Sequence, residues 1–409
     1  MTHEPTPEHS AAAPHSHPAG TQPAAQPASV QPAAQPVQPV WTAPVRRTRA
    51  GIVTLTVTGL VIGGAALLLV FVYLATFLGA GTLLVGLILA LIPLIGILLA
   101  VGWIDRWEPE PRPALWFAFL WGAGVSIVTA LLFDLGVQLA RAGAGATETD
   151  DGFAAAVLQA PLVEEAAKGA GVLLLFWVLR RRFDGPVDGV VYAATVAAGF
   201  AFTENIQYFG VAMMDGGSEN LGFTFLVRGV LSPFAHVMFT ACIGIACGLA
   251  VRFRPFPAFA TILLGFVSAI FLHSVWNGAF YLVESGSLVA YYLAVQVPLF
   301  LGAIMVVVLL RRQEERVTVL RLSEYAAAGW FSPAEVGMLA TRDGRRQARS
   351  WAARQPQTRK RAMHHFIHNS TRLAFARQRM VNGTAANVDR ADESELLGLI
   401  QRDRAGVIN

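Results

Sequence analysis

From about residue 51 to residue 310 the chain is a succession of apolar runs, each long enough to cross a bilayer, with charged residues gathered at their ends. A hydrocarbon core about 30 Å thick takes roughly 20 helical residues to span. Backbone groups in lipid have no water to bond, so such runs fold as helices. Runs at about 51–78, 81–104, 113–140, 153–179, 186–213, 224–251, 257–283 and 288–310 predict eight helices. Composition agrees: only 14% of the 409 residues are charged, against about 25% in a soluble domain. The expected fold class is all-α, a polytopic membrane helix bundle of about eight spans.

Three regions follow. Residues 1–45 form a Pro/Ala/Gln-rich tract ("TQPAAQPASVQPAAQPVQPV") that cannot bury enough apolar surface to fold. It is expected to be a disordered cytoplasmic tail, with His3, His9, His15 and His17 solvated in it. Residues 46–312 are the transmembrane domain. Residues 313–409 hold no span-length run and are basic in the middle, as in "TRDGRRQARSWAARQPQTRKRAMHHF". They are expected to be a helical cytoplasmic appendage, read as a solvated tail. Cys242 and Cys247 share one apolar run and fit small buried hydrophobes better than a disulfide or metal pair.

Lys and Arg in short loops set orientation. Arg46, Arg47 and Arg49 precede the first run, Arg106 and Arg112 follow the second, and Arg180, Arg181 and Arg182 follow the fourth. Arg252 and Arg254 follow the sixth, and Arg311, Arg312 and Arg316 the eighth. The intervening loops are acidic and polar ("ATETDDG", "MDGGSEN", "ESGS"), with Arg141 as the nearby exception. Both termini are therefore expected on the cytoplasmic side of a cell membrane, with the lipid bilayer as partner. The net charge of +4 belongs to these arginines and implies no nucleic-acid surface.

Ionisable residues at membrane depth are costly and mark function until shown otherwise. The fourth run holds Glu164, Glu165 and Lys168 in "EEAAK"; the fifth holds Glu204 and Asn205 in "FTEN". The sixth holds His236 in "SPFAHV", and the seventh His273 and Asn277 in "HSVWNG". Counted from the outer end of each run at about 1.5 Å per residue, Glu164, Glu204, His236 and His273 fall within roughly 5 Å of one level, about 14–18 Å deep. Residues serving only local packing have no reason to share a level, so one site is expected.

Its chemistry follows from the residue types. Glu164 and Lys168 are four apart with the acid first, the better order for a helical ion pair, while Glu165 points about 100° away. A carboxylate beside imidazoles can take a proton from water and return it to a leaving amine, so Glu165 or Glu164 is the candidate base. Asn277 or Asn205 is a candidate oxyanion donor. His236 and His273 with Glu204 would also suffice to ligate zinc, although no HExxH helix is present.

Taken in order, "EEAAK", "FTEN", "FAHV" and "HSVWNG", with "DRWEPEP" at 105–111 upstream, resemble the PrsW family of intramembrane proteases over about residues 50–310. The resemblance implies an intramembrane endopeptidase related to the CAAX-type prenyl endopeptidases, cutting membrane-anchored proteins such as an anti-sigma factor near the extracytoplasmic face. Its substrates would be single-span membrane proteins and its source bacterial. By position Glu164 and Glu165 would be essential acids, Glu204, His236 and His273 would complete the site, and Asn277 would match the oxyanion asparagine of the CAAX-type enzymes. A glutamate-activated water is favoured over a bound zinc. The CAAX-type pattern places an arginine after its glutamate pair where this chain has Lys168, which favours PrsW. A proton-coupled transporter and a non-catalytic membrane-protein-binding homologue are the competing readings; the convergence of polar residues on one level, with no internal repeat, favours the enzyme.

Overall fold

The computed structural model describes residues 50–144, 152–180, 183–251, 253–383 and 386–408. The Pro/Ala/Gln tract, Arg46, Arg47, Arg49, Arg181, Arg182, Arg252 and most of the "ATETDDG" loop lie outside them. Among the described residues there are helices and no strand.

Seven of the eight predicted runs fall on helices, whereas the run at 224–251 is broken at 232–234 ahead of the helix Ala235–Ala250. α1 is Ala50–Leu78 and α2 is Ala80–Ile104. α3 is Arg112–Gly143, with a π-helical turn at Trp121–Ser126. α4 covers 152–178 and carries a π-helical turn at Ala155–Gln159. α5, Pro186–Phe225, is a helical hairpin: Gly216 and Gly217 leave helical geometry, Gly217 with φ of 61°. Only a residue without a Cβ takes that conformation at no cost. The arms fold back on each other, so Phe209 meets Phe225 at 5.7 Å between ring centroids. A π-helical turn at Leu226–Leu231 leads into α6, Ala235–Ala250. α7 is Pro255–Leu282, and α8 is Leu288–Ala327 with a π-helical turn at Tyr292–Gln296.

Six stretches among the described residues are long and apolar enough to cross a membrane. One of them, Pro186–Ala250, is the hairpin of α5 continued through α6. α4, with its three charged residues, packs among α3, α5, α6 and α7. Large apolar side chains on the outer faces stay exposed, among them Leu69, Leu99, Phe256, Phe259 and Leu264, as lipid contact requires. Inside, α5 and α6 cross backbone to backbone: a Cβ on Gly189 would lie 1.9 Å from the Gly244 carbonyl oxygen. Small residues at such crossings let helices approach in lipid, where dispersion does the holding. Cys247 is buried and Cys242 half-buried, both as free thiols.

The solvated tail expected at 313–409 is instead a packed helical unit. α8 runs straight through residue 312 into it. Helices α9 (Pro333–Ala340), α10 (Arg342–Ala353), α11 (Gln357–Asn382) and α12 (Ala386–Ile408) complete it. Leu322, Leu339, Phe366, Leu373 and Ile400 are among its core residues. Ser332 and Glu335 form a reciprocal capping box at the start of α9, which fixes where that helix begins. The unit locks onto the 105–111 segment through Arg345. That buried guanidinium donates to the carbonyls of Leu339 (2.6 Å) and Trp107 (2.9 Å) and to Thr371 Oγ1 (2.6 Å), and it lies 3.5 Å from the centre of the Trp107 ring.

Candidate active site

α4, α5, α6 and α7 bring Glu164, Glu165, Lys168, Glu204, His236 and His273 together inside the bundle. Two carboxylate–imidazole pairs form. In the first, His273 Nδ1 lies 3.0 Å from Glu165 Oε1. Glu165 also takes Lys168 Nζ at 2.6 Å on the same oxygen and the Thr240 hydroxyl at 2.9 Å on the other. In the second, His236 Nε2 lies 2.9 Å from Glu204 Oε2, and the same oxygen accepts from Arg228. The imidazole rings meet edge to face at 5.2 Å. Hydrogen positions follow from partners: carboxylate acceptors place the ring protons on His273 Nδ1 and His236 Nε2.

The adjacent glutamates are not equivalent. Glu165 is sealed, with 0% of its side chain exposed and three donors on two oxygens. Glu164 keeps 13% exposure and has looser neighbours, Lys168 Nζ at 3.5 Å and His273 Nε2 at 3.9 Å. The 100° between successive helical residues sends one acid into the packed interior and leaves the other facing the space between the imidazoles. Lys168 is wholly buried over the Phe200 ring, its ammonium centred between Glu164, Glu165 and His236 Nδ1 (3.3 Å). A buried ammonium is tolerated because each of its protons has an acceptor.

Two expected assignments change. The metal set expected from sequence was His236, His273 and Glu204. Among the described residues the trio able to share an ion is Glu164, His236 and His273, whose ligand atoms lie within 4.8 Å of one another. Glu204 is held by Arg228 and His236. Asn277, expected to donate to an oxyanion, donates to the Ala156 carbonyl at 2.8 Å and so ties α7 to α4. Asn205 accepts from Arg228 Nε at 2.9 Å. Asp134 accepts from Gln138 at 2.7 Å.

Sequence reasoning passed over two participants. Thr240 is four residues after His236, hence on its face of α6, a spacing that could have flagged it. Arg228 stands inside an apolar run, "FTFLVRGVL", and escaped a census that counted arginines in loops. The π-helical turns carry no sequence signature, yet three of the four among the described residues serve the site. Trp121 donates to the Ala167 carbonyl between the acids and the rest of α4, Ala156 receives Asn277, and Leu226–Leu231 supplies Arg228. Such turns recur at functional sites because they re-aim side chains within a helix.

The family model described as PrsW family intramembrane metalloprotease matches residues 110–303, a stretch that contains every residue of the site. Protease PrsW of Geobacillus kaustophilus is 34% identical over 176 residues, 42% of this chain and 69% of that protein. Protease PrsW of Clostridioides difficile is 33% identical over 164 residues, 38% of this chain and 63% of that protein. Protease PrsW of Oceanobacillus iheyensis is 30% identical over 128 residues, 31% of this chain and 55% of that protein. No solved structure matches the chain significantly. A bundle of membrane-length helices closed around buried acids and imidazoles, together with these relationships, places the chain in the PrsW family of intramembrane proteases.

Proposed function

We propose that the chain hydrolyses peptide bonds of single-span membrane proteins with Glu164 as general base. The observation that carries this is the difference between its neighbours: Glu165 and Glu204 are each committed to holding an imidazole, while Glu164 faces both rings with lone pairs to spare. Glu164 takes a proton from water as the water oxygen attacks the scissile carbonyl carbon. The tetrahedral intermediate collapses when that proton passes to the departing amine and the carbon–nitrogen bond breaks. His236 and His273, fixed by their carboxylates, flank the reacting atoms. Lys168 supplies the positive charge that steadies the acids and the developing oxyanion. A hydrogen-bonded helix hides its carbonyls, so the substrate segment must unwind to be cut.

The loop charges support a topology with both termini in the cytoplasm and the site in the extracytoplasmic half, which fits a cut near the outer face of anchored proteins such as an anti-sigma factor. Reporter fusions at Arg312 and in the Gly216–Gly217 turn check this, with cytoplasmic and extracytoplasmic signals expected in that order.

A second reading has its own observation. Two imidazoles and a carboxylate are the donor chemistry of a catalytic zinc, so the residues fit the metal that the family description implies. Glu164, His236 and His273 would hold it, and it would supply a water of lowered pKa and a Lewis acid for the carbonyl. Lys168 weighs against it, since its ammonium sits within 3.5 Å of two of those donors and competes for the same lone pairs.

The deciding experiment reconstitutes the protein in liposomes with single-span substrates. Wild type is compared with Glu164→Gln and His273→Ala, with and without a strong chelator. Cleavage that both substitutions abolish and chelation leaves intact supports the glutamate-activated water. Loss on chelation with recovery on added zinc transfers the site to the metal reading. No cleavage by wild type, with a proton flux that Glu164→Gln removes, makes the protein a transporter.

A further inference from the structure

Among the described residues, Arg228 is the guanidinium that reaches the site from within the bundle. Charged groups at membrane depth are expensive, so its placement calls for a compensating gain. Its Nη2 donates to Glu204 Oε2, its Nε donates to Asn205 Oδ1 at 2.9 Å, and its carbon lies 3.9 Å from the centre of the Tyr208 ring. Three residues within one turn and a half of α5 thus hold the guanidinium on two edges and one face. The same Glu204 oxygen accepts from His236 Nε2.

The local backbone makes this convergence possible. Arg228 and His236 are eight residues apart, which on an unbroken α-helix means about 12 Å along the axis and roughly 80° around it. Here the chain widens at Leu226–Leu231, where the Ser232 amide closes back to the Val227 carbonyl at 3.0 Å, five residues earlier. The Ser232 hydroxyl caps the same carbonyl at 2.7 Å, and the helix restarts at Ala235. The wide turn and the restart bring both side chains onto one carboxylate oxygen.

We infer that Arg228 is a positioning residue for His236, acting only through Glu204; this rests on the protease reading above. Its counterpart across the site is Thr240 with Lys168, which hold Glu165 and through it His273. Arg228 fixes the Glu204 side chain, Glu204 fixes the His236 ring with its proton on Nε2, and Nδ1 is left turned to Lys168. Partners one step removed from reacting groups commonly affect activity by roughly 10–100-fold.

The test is a cycle in liposomes with Arg228→Met, Glu204→Gln, the double variant and Arg228→Lys. Arg228→Met is expected to lower kcat roughly 10–100-fold with KM within about twofold, and Arg228→Lys to recover part of the loss. The double variant is expected to be no slower than Glu204→Gln alone, and by removing both charges it also avoids an unpaired buried carboxylate if Arg228→Met folds poorly. Multiplying losses, or an effect on KM alone, overturn the inference. A readout independent of cleavage is the ¹⁵N spectrum of His236: the Nε2–H form is expected in wild type and lost in Arg228→Met. An unchanged spectrum overturns the inference even if activity falls. If wild type cleaves nothing, the protease reading fails while the spectrum still decides the role of Arg228.

Discussion

The molecule buries carboxylates in two places, and it treats them differently. At the active site Glu164, Glu165 and Glu204 all have nitrogen partners in Lys168, Arg228 and two imidazoles. At the junction between the 105–111 segment and the C-terminal unit, Glu108, Glu110, Asp188 and Glu314 cluster, and one oxygen each of Glu108 and Glu314 is buried with no hydrogen-bond partner. Glu110 accepts from the Tyr192 hydroxyl, and Asp188 takes the amides of Asp184 and Gly185. Burial, followed by neighbouring carboxylates, pushes Glu108 and Glu110 well above the usual carboxylate range, and burial lifts Asp105 to about 6. The same residue type thus serves two ends. Where cations stand beside it the acid is kept for chemistry; where they are scarce it is kept neutral and structural.

Removing the cation from the first cluster sharpens this contrast most. Lys168→Met leaves Glu165 sealed beside only a hydroxyl and an imidazole. Breaking a buried ion pair from one side costs roughly 3–5 kcal/mol, so unfolding in detergent should show a large fall in stability together with loss of cleavage. Lys168→Met/Glu165→Gln should regain much of the stability and none of the activity. If Lys168→Met alone is as stable as wild type, the cations do not govern the fate of these acids.

The junction has few cations: Arg379 pairs with Asp184, Arg311 stands near Glu314, and Arg345 gives its hydrogen bonds to carbonyls and a hydroxyl. Burial lowers Arg345 to about 9, so it remains charged at neutral pH. Arg345→Met strands the Leu339 and Trp107 carbonyls at about 1–3 kcal/mol each. Hydrogen exchange should show the C-terminal unit loosening while cleavage in the membrane persists. Equal loosening of α4 and α6 would mean that the two regions are one cooperative block.

Much of this was legible in the chain and some was not. Apolar runs of fixed length give the helices, because lipid permits little else. The polar residues "EEAAK", "FTEN", "FAHV" and "HSVWNG" stand out there because each is expensive. Which of Glu164 and Glu165 is sealed depends on what faces α4 across the bundle, and spacing along one helix does not specify that. Arg228 was hidden by its place near the end of a run, where an arginine reads as interfacial. The core at 313–409 was hidden because Leu322, Leu339, Phe366 and Ile400 are spread over separate helices among many arginines, so composition outweighed periodicity.

Thr240→Val probes the first cluster more gently. It removes one hydroxyl donor from Glu165 Oε2 while keeping shape, and hydrogen bonds to charged groups are worth about 1.5–3 kcal/mol. His273 and Lys168 still hold the other oxygen, so stability should fall towards the low end of that range and kcat by several-fold. A loss as large as that of Lys168→Met would show that the hydroxyl, and not the ammonium, sets the acid in place.

The smallest effect is expected from Glu108→Gln, and its sign carries the comparison. An acid whose folded-state pKa is raised lends stability fully below its unfolded value, and that contribution is lost as pH rises through the folded value. For Asp105 the window runs from 3.8 to about 6, and Glu108 and Glu110 extend it upward from 4.5. Docking of the C-terminal unit should therefore be firmer at pH 5 than at pH 8, as read by limited proteolysis of 313–409. Glu108→Gln replaces a strained acid beside Asp184, Asp188 and Glu314 with a neutral amide of the same shape. It should leave stability at pH 8 unchanged or slightly raised and should flatten the pH dependence. The equivalent change at the site, Glu165→Gln, removes a partner from Lys168 and should destabilise at every pH. Opposite signs for the same substitution in one molecule are what differential partnering demands; matching signs would reduce the two clusters to one kind.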